Sequence, residues 1–103
     1  MKLWLVRHAR PLIDAGICYG ATDVPADAGH TQATAAQLAP LLPADLTVWT
    51  SPLQRCSVLA DQLLALRPDL QLRPDARLAE LDFGCWEGQR WDAIPRTAYD
   101  DWT

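Results

Sequence analysis

The stretch Lys2–His8, KLWLVRH, decides the fold because a run of apolar residues stops there at an arginine and a histidine. Residues 3–6 are all apolar rather than alternating with polar residues, which is typical of a central strand covered on both faces. In open α/β sheets, ligands bind beyond the carboxyl ends of such strands. The stretch therefore predicts a buried strand that places Arg7 and His8 at a binding edge.

Two helical patterns and two further strand patterns alternate after this first strand. The helical stretches are residues 27–42 and 51–66, and the strand stretches are residues 46–50 and 70–73. Asp27 can cap the first helix, whereas Ser51 can cap the second and Pro52 suits its first position. The order strand, helix, strand, helix, strand predicts an α/β domain with parallel neighbouring strands.

The size and charge of the chain limit what it can bind. With 103 residues, half of them apolar, the sequence fits a single domain over residues 1–103. Its net charge of -4 argues against the broad basic face that a nucleic acid or an anionic membrane surface requires. We therefore expect neither of these partners, and we expect any anionic ligand to be held by a local cluster of cations.

The cysteines indicate a reducing compartment. Cys18, Cys56 and Cys85 are odd in number, widely spaced and without a CxxC pair, so neither a disulfide framework nor a zinc site is expected. The two histidines add too few ligands for a metal cluster. No segment fits a signal peptide or a bilayer-spanning helix. These features predict a cytoplasmic protein without a metal site.

Two arginines and a histidine follow the predicted strands at one edge of the sheet. Arg7 and His8 end the first strand, and Arg55 lies in the first turn of the helix after the second strand. Guanidinium groups bind phosphate oxygens in a bidentate manner, and a neutral imidazole between cations can attack phosphorus. The pattern predicts a phosphate pocket with a histidine nucleophile. Three carboxylates are candidates for the acid that protonates the leaving group: Glu80, Asp82 and Glu87.

The motifs LVRH (5–8), SPLQR (51–55) and LAELDFGCWEG (78–88) resemble, in order and spacing, those of the histidine phosphatase superfamily, the phosphoglycerate mutase-like phosphohydrolases. The resemblance implies a three-layer α/β/α fold with a mostly parallel sheet. It also implies hydrolysis of a small phosphate ester through a phosphohistidine, with no metal or organic cofactor. The roles implied by the resemblance are His8 as nucleophile, Arg7 and Arg55 as phosphate ligands, Glu80 as proton donor and Glu87 as a supporting residue.

The loop CYGATDVP (18–25) is similar to that of α-ribazole phosphatases, which remove a 5′-phosphate from a nucleotide precursor of the cobalamin lower ligand. This similarity implies that Tyr19 and Gly20 line the substrate mouth, and it makes α-ribazole 5′-phosphate a candidate substrate in cobalamin biosynthesis. A plain turn explains the same residues. Other monophosphatases and sugar-phosphate phosphatases share most of the loop.

Some features depart from the family pattern. Ala9 stands where the family has glycine, and the family's second active-site histidine, carried in a later HGG-like motif, has no counterpart. His30 lies on the first helix and is predicted to be an ordinary surface residue. We expect the C-terminal part of the domain to be missing. The last stretch is rich in large aromatic residues that need a covering partner, for which a second copy in a homodimer is one candidate: Trp86, Trp91 and Trp102.

Three functions therefore stay open. The first is a phosphomonoesterase that works through phosphohistidine. The second is a catalytically impaired fragment that binds phosphate or self-associates. The third is a phosphoglycerate mutase-type phosphotransferase, for which the sequence lacks the extra basic contacts that would retain a bisphosphate.

Overall fold

The computed structural model describes residues 2–102, apart from the side chains of Tyr99, Asp101 and Trp102, so the expectation for the Trp102 side chain lies outside the described residues. The helices and strands are α1 (Ala28–Leu38), β1 (Thr47–Thr50), α2 (Gln54–Leu66), β2 (Gln71–Pro74) and α3 (Arg96–Trp102). Short 3₁₀ helices occupy Ala39–Leu41, Ala76–Leu78, Gly84–Trp86 and Trp91–Ala93. Within residues 2–102, no helix has the length and apolar character needed to cross a membrane.

Strands β1 and β2 form a parallel sheet, in which Thr47 pairs with Gln71 and Thr50 pairs with Pro74. The helix α2 connects the two strands and packs against both, and α1 packs against α2. This arrangement confirms the predicted α/β class with parallel neighbouring strands. Trp49 in β1 is 59% exposed, so one face of the sheet is covered by helices and the other is open.

The core lies where the helices meet the sheet. Leu42, which follows α1, packs with Leu63 of α2 and with Leu70, which precedes β2. Leu59 and Leu63 are buried four residues apart, as expected for the apolar stripe of a helix that packs on a sheet. Burial of this stripe stabilises the crossover between the two parallel strands.

The two helix starts differ in how closely they follow the local sequence. In α1 the Asp27 carboxylate caps as predicted, accepting a hydrogen bond from the His30 N–H at 2.8 Å. The predicted start of α2 was wrong, because the helix begins at Gln54, after Ser51 and Pro52, although it ends at Leu66 as predicted. The Gln54 N–H donates to the Asp23 carboxylate at 2.6 Å. A charged carboxylate from a distant loop is a stronger acceptor than the nearby serine hydroxyl.

Residues 2–6 do not form the predicted strand. Leu3 is 79% exposed and Leu5 is 86% exposed, and the segment makes no strand pairing with another described residue. It faces β1 across a largely apolar cleft of about 810 Å³. A continuous apolar run is stable as a central strand only when neighbouring strands satisfy its backbone and both faces are covered. In the described residues β1 pairs with β2 alone, so this condition is not met.

The loop before α1 docks onto the stretch after β2. Cys18 is fully buried; its N–H donates to the Gln89 carbonyl at 2.7 Å, and its carbonyl accepts from the Gly88 N–H at 2.8 Å. A Cβ at Gly20 would lie 2.0 Å from the Leu81 carbonyl oxygen. Only glycine therefore leaves room for the two segments to approach this closely.

Arg67, which follows α2, ties the two helices together. Its guanidinium donates to the Ala39 and Leu42 carbonyls at 2.6 and 2.8 Å, and it pairs with Asp69 at 2.9 Å. The Arg67 hydrogen bonds, followed by the bond from the Asp45 N–H, hold the pKa of Asp69 far below its usual range. The ionised Asp69 carboxylate thus orients Arg67 toward the end of α1.

Adding a methyl group at Gly20 is expected to destabilise the fold. We expect Gly20→Ala to lower the free energy of unfolding by about 2 kcal/mol or more, because the new Cβ overlaps the backbone of Leu81. The matched control is Gly29→Ala in the first turn of α1, where the nearest atom lies 3.6 Å away. This control should gain about 0.5 to 1 kcal/mol from helix propensity. Urea unfolding measures both, and equal effects of the two variants would contradict the close approach at Gly20.

Asp69→Asn is expected to destabilise the chain in a pH-dependent way. The pKa of Asp69 is lower in the folded than in the unfolded chain, so its contribution is present at neutral pH and is lost as the pH falls below about 4. Urea unfolding should show a lower midpoint for the variant at pH 7 and a smaller difference from the wild type at pH 3. Asp92→Asn, which removes the more exposed Arg90 ion pair, is the control and should change the midpoint little. A difference that is independent of pH would refute the assigned role.

Candidate active site

His8 lines the cleft between residues 2–6 and β1, together with Ser51 and Cys56. The ring is half-buried, and its Nδ1 lies 2.7 Å from the Ala9 carbonyl oxygen. Because a carbonyl can only accept a hydrogen bond, Nδ1 carries the proton in this contact. With Nδ1 used as the donor, Nε2 is the ring nitrogen left to act as a nucleophile.

Arg55 lies in the first turn of α2 and is 2% exposed. Its two terminal nitrogens donate to the carbonyls of Thr22 and Gly20, at 2.8 and 2.6 Å. The guanidinium carbon also lies 5.1 Å from the centre of the Tyr19 ring, within the range of a cation–π contact. The loop before α1 thus surrounds Arg55 on several sides.

The carboxylate of Glu87 binds the same loop. Its Oε1 accepts hydrogen bonds from the Gly20 N–H at 2.9 Å, from the Thr22 N–H at 2.7 Å and from the Thr22 hydroxyl at 2.8 Å. Burial alone would raise the pKa of Glu87, but these three bonds and the positive charge of Arg55 outweigh it and lower the pKa. The carboxylate is therefore held ionised against the loop.

Asp23 fastens the end of this loop to the start of α2. Besides capping the helix, it accepts a hydrogen bond from the Gln54 side-chain amide at its own carbonyl, at 2.9 Å. Residues 20–23 are consequently attached to Arg55, Gln54 and Glu87. Their conformation depends on both α2 and the stretch after β2.

The remaining predicted site residues lie apart from this network. Arg7 is exposed and makes no hydrogen bond or ion pair with another described residue. Glu80 is also exposed, and its carboxylate accepts from the Leu81 N–H at 3.0 Å. Burial raises the pKa of the Cys56 thiol in the cleft, and the opposing effects of the Arg55 charge and of a hydrogen bond with Ser51 do not cancel it.

The structure thus brings three of the predicted site residues into contact: Tyr19, Gly20 and Arg55. His8 lies in the cleft, where none of the other predicted site residues forms part of the described wall. In the described part of the chain, no group of three metal-binding side chains occurs.

Sequence reasoning missed Thr22 and Asp23, and it treated His30 as an ordinary surface residue. The His30 Nδ1 accepts a hydrogen bond from the Arg10 N–H at 2.9 Å, which fixes the chain two residues after His8. Asp23 and Gln54 are 31 residues apart, and Thr22 and Glu87 are 65 apart. No local sequence pattern signals contacts of such separation.

Comparisons with known proteins match this chain both to a protein family and to solved structures. The model of the histidine phosphatase superfamily (branch 1) matches residues 3–103. A mycobacterial glucosyl-3-phosphoglycerate phosphatase is 26% identical with a TM-score of 0.72, and the match covers 92% of this chain and 47% of that one. A Thermus thermophilus protein is 31% identical with a TM-score of 0.69, over 99% of this chain and 56% of its own.

An Escherichia coli K-12 protein, provisionally named an alpha-ribazole-5′-P phosphatase, is 25% identical with a TM-score of 0.72, over 94% of this chain and 50% of its own. No curated protein sequence matches this chain significantly. The chain spans about half the length of the solved structures to which it is similar. The match over residues 3–103, together with these shared folds, shows that the chain belongs to the histidine phosphatase superfamily.

Proposed function

We propose that the chain handles the phosphoryl group in a phosphomonoester hydrolase that works through a phosphohistidine at His8. The observation that carries this proposal is the 2.7 Å contact between the His8 Nδ1 and the Ala9 carbonyl. It leaves Nε2 as the free, nucleophilic nitrogen of a half-buried ring in a cleft. Membership of the histidine phosphatase superfamily supports the assignment.

In the proposed reaction, the Nε2 lone pair of His8 forms a bond to phosphorus while the bond from phosphorus to the ester oxygen breaks. Glu80 gives its proton to the departing alcohol, and Arg7 and Arg55 stabilise the charge on the phosphoryl oxygens. A water molecule then attacks phosphorus, breaking the bond to Nε2 and releasing inorganic phosphate. Glu80 accepts the proton of that water, which restores both residues.

For the substrate, we propose a small phosphorylated metabolite. The mycobacterial neighbour is named as a phosphatase of glucosyl-3-phosphoglycerate, and the Escherichia coli neighbour is provisionally named for alpha-ribazole-5′-P. Both names describe small organic phosphates. Together with the similarity of residues 18–25 to the α-ribazole phosphatase loop, they favour α-ribazole 5′-phosphate as the first ester to test.

The second candidate function is phosphate binding with little turnover. One observation favours it: Glu80, the proposed acid, is exposed and lies outside the wall of the cleft that holds His8. In this second candidate His8 accepts a phosphoryl group, but the hydrolysis that releases phosphate from it is slow. The two candidates differ in whether phosphate is released repeatedly or only once.

Labelling with a radioactive phosphomonoester tests the nucleophile. The wild-type chain should acquire label that survives alkali and is lost in acid, as phosphohistidine does, and His8→Ala should acquire none. His30→Gln is the control, because it removes the other imidazole while keeping a hydrogen-bond acceptor for the Arg10 N–H. If the wild type acquires no more label than His8→Ala, the proposed function fails. Label without sustained phosphate release favours the second candidate.

The acid role of Glu80 predicts a dependence on the leaving group. Glu80→Gln should slow hydrolysis of an alkyl phosphate about 100-fold, because its alcohol cannot leave without a proton. The same variant should slow p-nitrophenyl phosphate hydrolysis much less, since the phenolate leaves unprotonated. The values of kcat/KM for both esters give the ratio, because they report the steps up to formation of the phosphohistidine, and Asp82→Asn is the control for a neighbouring carboxylate. Equal slowing of both esters, or the same pattern in Asp82→Asn, would remove Glu80 from the role.

A further inference from the structure

We propose that Glu87 is a positioning residue that sets the orientation of the Arg55 guanidinium through the backbone of residues 20–22. For its effect on phosphate binding, the proposal rests on the proposed function, in which Arg55 holds the phosphoryl group. For the orientation of Arg55 itself, it rests on contacts alone. No ion pair joins Glu87 to Arg55 in the described part of the chain. The effect of Glu87 on the orientation of Arg55 therefore passes through the loop that binds both.

The same two loop residues bind both Glu87 and Arg55. Gly20 and Thr22 each donate a backbone N–H to Glu87 and each accept from Arg55 at the carbonyl. The Thr22 hydroxyl adds a third bond to the same carboxylate oxygen. A movement of either residue away from Glu87 therefore also moves a carbonyl that holds Arg55.

Gly20 cannot act as a hinge that relieves this coupling. The Leu81 carbonyl and the Phe83 ring cover it so closely that no further atom fits on its Cα. At the other end, Asp23 fixes the loop to Gln54, the residue before Arg55. Loss of the Glu87 carboxylate would leave two backbone donors and one hydroxyl without an acceptor, and the loop would rearrange to reach water.

Charge adds to the geometry. A buried guanidinium needs compensation, and the two carbonyls and the Tyr19 ring supply only dipoles and a quadrupole. The ionised Glu87, which binds this loop from the stretch after β2, supplies a full negative charge, and the charge of Arg55 in turn favours its ionised form. The loop, Arg55 and Glu87 are thus expected to order together and to loosen together.

Nuclear magnetic resonance of the arginine side chains tests the proposal on the full chain. Hydrogen exchange of the Arg55 terminal N–H groups, which bond to the Gly20 and Thr22 carbonyls, is compared with that of the Arg67 terminal N–H groups. The Arg67 groups are held by Asp69 and three carbonyls and serve as the internal control. Glu87→Ala should speed exchange at Arg55 about tenfold or more relative to Arg67. Glu87→Gln keeps an oxygen acceptor without the charge and should give a smaller change, of about threefold. Titration with inorganic phosphate should show binding to Glu87→Ala weakened by about tenfold or more.

Each outcome decides a separate claim. Arg55 exchange that follows Arg67 in both variants overturns the positioning role. If Glu87→Ala does not fold, Glu87→Gln decides alone, and unchanged Arg55 exchange in it overturns the proposal. Phosphate that binds the wild type and Glu87→Ala equally overturns the effect of Glu87 on phosphate binding and leaves the proposed function intact. If phosphate leaves the wild-type Arg55 signal unchanged but the variants free Arg55, the positioning role holds and the phosphate role of Arg55 in the proposed function fails.

Discussion

The burial of the Arg55 guanidinium is the constraint on which much of the rest of the structure depends. A buried cation without partners would cost several kcal/mol, and here the partners come from separate parts of the chain. The loop before α1 supplies the Gly20 and Thr22 carbonyls and the Tyr19 ring, and Glu87 after β2 holds that loop in place. Since all these groups must meet at the start of α2, satisfying one side chain brings three distant segments together.

A second guanidinium performs a related task at the other end of α2. Arg67 binds the Ala39 and Leu42 carbonyls, as Arg55 binds those of the loop, so α2 is anchored to surrounding backbone at both ends. The two differ in their counter-charge. Arg67 pairs directly with Asp69 at 2.9 Å, whereas Arg55 has no carboxylate within ion-pair distance in the described part of the chain. The charge of Arg55 is therefore compensated without a direct ion pair, by the loop carbonyls and by the Glu87 carboxylate that holds the loop.

Local features of the fold were predictable, and features that depend on distant partners were not. The Asp27 cap lies next to its helix and β2 is bounded by local signals, so both follow from short stretches of sequence. The start of α2 depends on Asp23, 31 residues earlier, so the local serine-proline pattern of residues 51–52 does not set it. Residues 2–6 have the composition of a central strand, but pairing is a property of neighbours, not of the run itself. For the site, residue identities were predicted from the motifs, while the loop contacts of Arg55 and Glu87 were not.

The carbonyl contacts of Arg55 do not by themselves compete with a phosphate ligand. A guanidinium has five N–H donors in one plane, and the contacts with Gly20 and Thr22 use one on each terminal nitrogen. The Nε–H and one N–H on each terminal nitrogen have no partner among the described residues. Because the group is planar, two bonds to the loop fix the directions of the remaining donors. The loop contacts therefore compensate the buried charge and fix the free donors, and in the proposed function phosphate binds these donors without a further loss of side-chain freedom.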